Sequence, residues 1–250
     1  MIFDEGSGPP LVVIPGVQGR WEWMRPALRA LSARCRVISY SLGTAKTFAE
    51  LVAQLGDVLE RRSLQTAAVC GVSFGGLVAV KFAASHPERT SALVIVSTPS
   101  PSWAPSAAQA RYLARPWLST PAFLATSPGR MWPEIASAIH GGPSRLRFCA
   151  EHVGRILAAP VVPAQMAARM KLTPGPELRA DCTRIVARTL VITGEPVLDR
   201  VVPADSTREF AGLIGGAACT MMDGTGHIGL VTQPDRFARI VGEFVNGSSS

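Results

Sequence analysis

Ala67-Ala68-Val69-Cys70-Gly71-Val72-Ser73-Phe74-Gly75-Gly76-Leu77-Val78-Ala79-Val80-Lys81-Phe82 runs from a small apolar segment, through Gly-x-Ser-x-Gly, into a second apolar segment of helical character. This order predicts a buried strand, a sharp turn and a helix. A serine can be thrust out of so tight a turn only if the residues around it leave room for the neighbouring backbone, which is what glycine provides. Ser73 is then the exposed tip of a strained elbow. Phe74 opens the helix, so its N–H and the positive end of the helix dipole face the place where charge would develop on an attacked carbonyl. One turn would supply both a nucleophile and half of an oxyanion hole.

Strand-like runs lie on both sides of this elbow. Leu11-Val12-Val13-Ile14 is apolar throughout and stops at Pro15-Gly16, as expected of a strand covered on both faces of a parallel sheet. Arg36 to Tyr40 reads as a second strand, followed by a helix with a Thr47-x-x-Glu50 capping box and Phe48, Leu51, Val52, Leu55 and Leu59 at helical spacing. Ala92 to Val96 is the fourth strand, counting the one that ends at the elbow. Thr189 to Thr193 and Cys219 to Met222 are the fifth and sixth, and a helix carrying Phe237, Ile240, Val241 and Phe244 closes the chain. Strand and helix alternating in this way imply an α/β fold, a mostly parallel sheet flanked by helices.

The alternation is interrupted at 101–188. Residues 1–100 and 189–250 would form the core, with the interruption a separate helical insert after the fourth predicted strand. The insert is rich in proline, its helices read as short, and it carries Trp103, Tyr112, Trp117, Phe123, Trp132 and Phe148. It holds eleven Lys and Arg against four Asp and Glu, so 11 − 4 = +7, the whole formal excess of the chain. Arginines such as Arg145 and Arg147 are expected at its surface, where a solvated basic face accounts for them; the alternative is that the insert meets an anionic or carrier-linked substrate or an acidic partner protein. They are dispersed rather than clustered with stacking aromatics, which argues against nucleic acid.

No apolar run approaches the ~20 residues of a membrane span, and the first residues lack an export signal, so a soluble, cytoplasmic protein is expected. Five scattered cysteines, Cys35, Cys70, Cys149, Cys182 and Cys219, suggest neither a disulfide framework nor a zinc site, and no cofactor is implied. Cys70 and Cys219 read as small hydrophobes inside strands.

A serine needs a base, and the base needs a carboxylate to hold its tautomer. Of four histidines, His86 stands at a helix end and His140 and His152 lie in the insert. His227 lies in Asp223-Gly224-Thr225-Gly226-His227, a glycine-rich loop just past the sixth strand, at the sheet edge that carries Ser73. The loop after the fifth strand offers Glu195 and Asp199, and Asp199 is assigned as the acid. The order Ser73, Asp199, His227 is that of a serine triad on such a sheet.

The chain resembles the α/β-hydrolases over nearly its whole length. GVSFGG, FAASHPERTSALVIVSTP, LVITGE with DRVVP, and GTGHIGLVTQPDRF follow the order of that family's segments. The resemblance implies Ser73 as nucleophile, Asp199 as acid and His227 as base. It further implies oxyanion donors at the N–H groups of Phe74 and Val17, and the insert as a cap. Three departures stand out. Pro15-Gly16 replaces the common His-Gly, leaving Gln18 to steady the loop. The Gly194 to Asp199 spacing is two residues longer than usual. The short beginning leaves little room for leading antiparallel strands.

Gln18, Trp103 and Trp132 are the expected substrate contacts. The function expected is hydrolysis of a small to medium, largely apolar ester, thioester or lactone. The same triad also serves carbon–carbon bond hydrolases and perhydrolases, and a ligand-binding homologue without turnover is the alternative from another class. Dehalogenation is disfavoured, because family members with that chemistry have aspartate where Ser73 stands.

Overall fold

Strands such as Leu11 to Ile14 have no polar residue on either side of the pleat, so they are stable only where both faces are covered. The computed structural model describes residues 2–172 and 177–247, with side chains at all of these except 108, 113 and 116–124. Seven strands form one sheet in the order β1-β3-β2-β4-β5-β6-β7. They are β1 Ile2–Glu5, β2 Pro10–Ile14, β3 Arg36–Tyr40, β4 Ala67–Val72, β5 Thr90–Val96, β6 Thr189–Gly194 and β7 Ala218–Met222. All neighbouring pairs are parallel except β1 with β3.

The helices are α1 Arg25–Ser32, α2 Phe48–Arg61, α3 Phe74–Ser85, α4 Ala107–Ala114, α5 Pro116–Ala138, α6 Gly142–Ala158, α7 Pro163–Lys171, α8 Leu178–Arg184, α9 Ala204–Leu213, α10 Gly229–Thr232 and α11 Pro234–Asn246. On one face of the sheet Val12, Ile14, Val69 and Ile95 pack with Leu51, Leu55, Val78 and Phe210 of α2, α3 and α9. On the other, Leu11, Val13, Cys70 and Val94 pack with Leu28, Leu31, Phe237 and Val241 of α1 and α11. Successive residues thus enter opposite cores, the period of two expected of a pleated strand. The elbow strand is central, with three strands on either side of it.

Four expectations need correction. A leading antiparallel strand does exist: β1 buries Phe3 and pairs Ile2 with Tyr40 through Glu5 with Val37, while Asp4 receives Arg36 at 3.0 and 3.1 Å. Four residues suffice because Asp4 and Phe3 anchor its two sides. The insert's helices are not all short, since α5 has 23 residues and α6 has 17. Pro128 and Pro133 read as breakers, yet α5 continues through both because it is braced against α4, α7 and α10. Cys219 is exposed, for β7 is the sheet's edge strand, whereas Cys70 in central β4 is buried. Arg145 does not project freely: its Nε and Nη2 donate to the Ile139 and Ala136 carbonyls at 2.7 and 2.9 Å, closing the end of α5.

The Thr47 hydroxyl does accept the Glu50 N–H, at 3.3 Å, but the Glu50 carboxylate reaches the Lys46 amide and not that of Thr47. Trp117 and Phe123 lie, as side chains, outside the described residues. Among the described residues no helix is long and apolar enough to cross a membrane.

Candidate active site

Four loops leave the carboxyl edge of strands β2, β4, β6 and β7, and they carry Val17, Ser73, Asp199 and His227 respectively. Ligands of open parallel sheets bind at this edge. Ser73, between β4 and α3, has φ 53 and ψ −123, a conformation that costs a non-glycine residue of order 1–3 kcal/mol. Its amide donates to the Val96 carbonyl at 2.7 Å, and its own carbonyl accepts the Gly76 amide at 2.9 Å.

The two glycines that follow Phe74 are needed for clearance. A Cβ on Gly75 would lie 2.5 Å from the carbonyl oxygens of both Ile14 and Pro15, and one on Gly76 would run into the Thr98 side chain. The elbow is therefore wedged between β2 and the end of β5. Phe74 is the first residue of α3, where N–H groups have no partner within the helix.

His227 and Asp199 are in contact. His227 Nδ1 lies 3.2 Å from Asp199 Oδ2, with the side chains 13% and 1% exposed. Asp199 Oδ1 accepts the amides of Val201 and Val202 at 3.0 and 2.9 Å. Burial pushes the Asp199 carboxyl up, but the attraction and hydrogen bond of His227 and the two amides outweigh it and hold the group below the ordinary carboxylate value. Burial likewise pushes His227 down. Asp199, with a further contribution from Glu134, more than reverses this, so the imidazole stands above its ordinary value.

Glu195 goes elsewhere. Its Oε1 accepts the Gly224 amide at 2.6 Å, tying the histidine loop to the end of β6, and the long Glu195 to Asp199 segment is turned by hydrogen bonds of Leu198 and Asp199 N–H to the Glu195 carbonyl. His227 also lines a small cavity with Val96, Ser97 and Thr193, beside the Val96 carbonyl that holds Ser73. Among the described residues Ser73 Oγ makes no hydrogen bond, so of the constellation only the Asp199–His227 half is hydrogen-bonded.

Val17 occupies a turn closed by Gly19 N–H onto the Gly16 carbonyl at 2.8 Å. Gln18 folds back over Gly16, where a Cβ would meet Gln18 Oε1 at 2.7 Å and Ser73 Cβ at 3.3 Å. The anchor of this loop, however, comes from the insert. Arg169 of α7 is 4% exposed, and its Nη1 donates to the Val17 and Gln18 carbonyls at 3.1 and 3.3 Å while Nη2 donates to those of Leu42 and Gly43 at 2.7 and 3.3 Å. Burial pushes its pKa down, and among the described residues no carboxylate pairs with it.

The two expected tryptophans are less engaged. Trp103 is half-buried, its amide donating to the Ser100 carbonyl. Trp132 is 51% exposed, and Glu134, about 200° further round the helix, turns inward together with Ile135. Glu134 is 1% exposed and accepts the Ile228 amide at 3.1 Å on both oxygens. Arg169 and Glu134 are the residues that sequence reasoning missed. For Glu134 there was one faint signal, a lone acid in a long apolar stretch of a basic segment. For Arg169 there was none, since it is one arginine among many.

The Alpha/beta hydrolase family model matches residues 11–240. Pimeloyl-acyl-carrier-protein methyl ester esterase of Nitrosomonas europaea is 26% identical over 249 residues, covering 93% of this chain and 94% of that protein. Poly(3-hydroxyalkanoate) depolymerase of Ectopseudomonas oleovorans is 26% identical over 255 residues, covering 94% and 84%. Among solved structures, the enol-lactonase of Burkholderia xenovorans superposes with a TM-score of 0.80 at 21% identity, covering 98% of this chain and 96% of that one.

Proposed function

The chain belongs to the alpha/beta hydrolase family, and from that premise we propose that it cleaves a small to medium, largely apolar ester, thioester or lactone through an acyl-enzyme on Ser73. One observation carries the reading: a serine held at φ 53 and ψ −123 on the elbow, at the sheet edge that also carries a buried carboxylate–imidazole pair 3.2 Å apart. Positive φ alone does not single Ser73 out, since Ser63 and Ser97 share it; its place between a central strand and a helix does, and a structural histidine has no use for a buried carboxylate that raises its basicity.

In this mechanism His227 Nε2 takes the proton from Ser73 Oγ as Oγ attacks the carbonyl carbon. The Phe74 and Val17 N–H groups receive the oxyanion. Asp199 keeps Nδ1 protonated and stabilises the imidazolium. Collapse expels the alcohol or thiol, which leaves with the proton from His227; for a lactone it stays tethered. Water, deprotonated by the same imidazole, then releases the acid and restores Ser73. The insert would act as a cap, because Arg169 and Glu134 tie it to the loops bearing Val17 and His227. Two relatives whose names specify a methyl ester esterase and a polyester depolymerase support the bond class.

The test is a series of p-nitrophenyl esters of increasing acyl length, assayed with wild type and Ser73→Ala. Turnover that favours apolar acyl groups and vanishes in Ser73→Ala is expected. Equal rates in the two proteins would refute the reading, and carbon–carbon cleavage without ester cleavage would redirect it to the other chemistry open to the triad.

A further inference from the structure

We propose that Glu134 is a positioning residue for the base: reaching in from the insert, its carboxylate holds the Ile228 amide on one side of His227, packs against Gly226 on the other, and fixes where the imidazole stands. The proposal rests on the reading of His227 as the base. Glu134 is 1% exposed, its oxygens both accept the Ile228 amide at 3.1 Å, and it packs against Gly226. The contact is close, since a Cβ on Gly226 would lie 2.8 Å from Glu134 Oε2. These are residues 226 and 228, the immediate neighbours of His227.

A carboxylate is costly to bury, and this one is satisfied by a backbone donor, with no Lys or Arg paired to it among the described residues. Burial, with a smaller push from Asp199, raises its pKa above the ordinary carboxylate value, and its backbone contacts and His227 oppose this only in part. Both oxygens accept, an arrangement that suits the ionised form. The charges around the imidazole are few. Asp199 contacts Nδ1, Glu195 holds the Gly224 amide, and Asp223 is neutralised by Arg236 at 2.9 Å on α11. Asp199 and Glu134 are the two whose charge reaches His227.

As Ser73 gives up its proton, the imidazolium would therefore stand between two buried carboxylates, in a setting where fixed charges act strongly. One of the two belongs to the insert. Any displacement of α5 would withdraw a negative charge and a loop clamp together, so the strength of the base depends on the insert being seated.

Glu134→Gln keeps the shape and removes the charge, and Glu134→Asp keeps the charge and shortens the reach. The histidine ring protons would be followed by NMR against pH in each protein, with His227 identified by its loss in His227→Asn, alongside the pH profile of kcat. In Glu134→Gln the His227 midpoint is expected to fall by ~0.5–1 pH unit, the rising limb of kcat to move down with it, and plateau kcat to fall about tenfold. In Glu134→Asp the midpoint should stay while plateau kcat falls. An unchanged midpoint together with an unchanged plateau in Glu134→Gln overturns the proposal. If that variant does not fold, an unchanged plateau in Glu134→Asp does so instead. The titration needs no turnover: a midpoint that falls in a protein without hydrolase activity would uphold the clamp and refute the functional reading.

Discussion

Arg169 provides the sharpest test of how the insert serves the site. Arg169→Met keeps the length and apolar packing of the side chain and deletes the fork that holds the Val17, Gln18, Leu42 and Gly43 carbonyls. Each hydrogen bond from a charged donor contributes ~1.5–3 kcal/mol, so the gross loss is several kcal/mol. Against it stands the relief of no longer burying a guanidinium without a carboxylate, itself worth several kcal/mol. The balance is a net loss of ~2–4 kcal/mol, which for a chain of this size lowers Tm by roughly 5–15 °C.

The effect on rate is separate. Val17 would keep its N–H but lose the restraint on its carbonyl, so the penalty is bounded by deletion of one oxyanion donor, ~10²–10³ in kcat. A fall in kcat with little change in KM is expected, because the lost interaction matters most once charge has developed. Arg169→Lys should be intermediate, since an ammonium cannot fork across four carbonyls. The assay is a thermal melt and steady-state kinetics with one p-nitrophenyl ester. Unchanged Tm and kcat in Arg169→Met would refute the reasoning.

Three further outcomes are expected. Asp199→Asn should lower kcat by up to ~10⁴-fold, far more than Glu195→Gln, which loses only a tie to the Gly224 amide; the reverse ranking in ester kinetics would move the acid to Glu195. Because the base must be neutral and its pKa is raised, activity should increase with pH along a limb whose midpoint lies above ~6.5, and a flat profile through that range would reject His227 as base. If the +7 of the insert steers anionic esters, their kcat/KM should fall with added salt while that of a matched neutral ester holds, and Arg147→Glu with Lys171→Glu should blunt the difference; an equal salt response of the two substrates would leave the charge without a role in binding.

The legibility of this chain follows from where its constraints are local. The elbow is written in five consecutive residues, because strain at Ser73 demands glycine at fixed offsets, and the apolar runs that became β2, β4, β5 and β6 have the composition of strands covered on both faces. The neighbourhood of Asp199 and His227 follows from strand order once the sheet is parallel. The rest depends on contacts between distant residues. Arg169 meets Val17 across 152 positions and Glu134 meets Ile228 across 94, with no periodic pattern to announce either. β1 was missed for a similar reason: it is a segment of four residues whose partner β3 lies more than thirty positions away, and the side chains that anchor it, Phe3 and Asp4, form no local pattern. Helix α5 was missed because Pro128 and Pro133 are local stop signals that tertiary packing overrides.

The central claim is that Ser73 is the nucleophile, and the most direct measurement is peptide mapping by mass spectrometry after labelling with a fluorophosphonate. The account predicts one adduct, on Ser73, absent in Ser73→Ala and formed far more slowly in His227→Ala. An adduct on another residue, or undiminished labelling of Ser73→Ala, would contradict it.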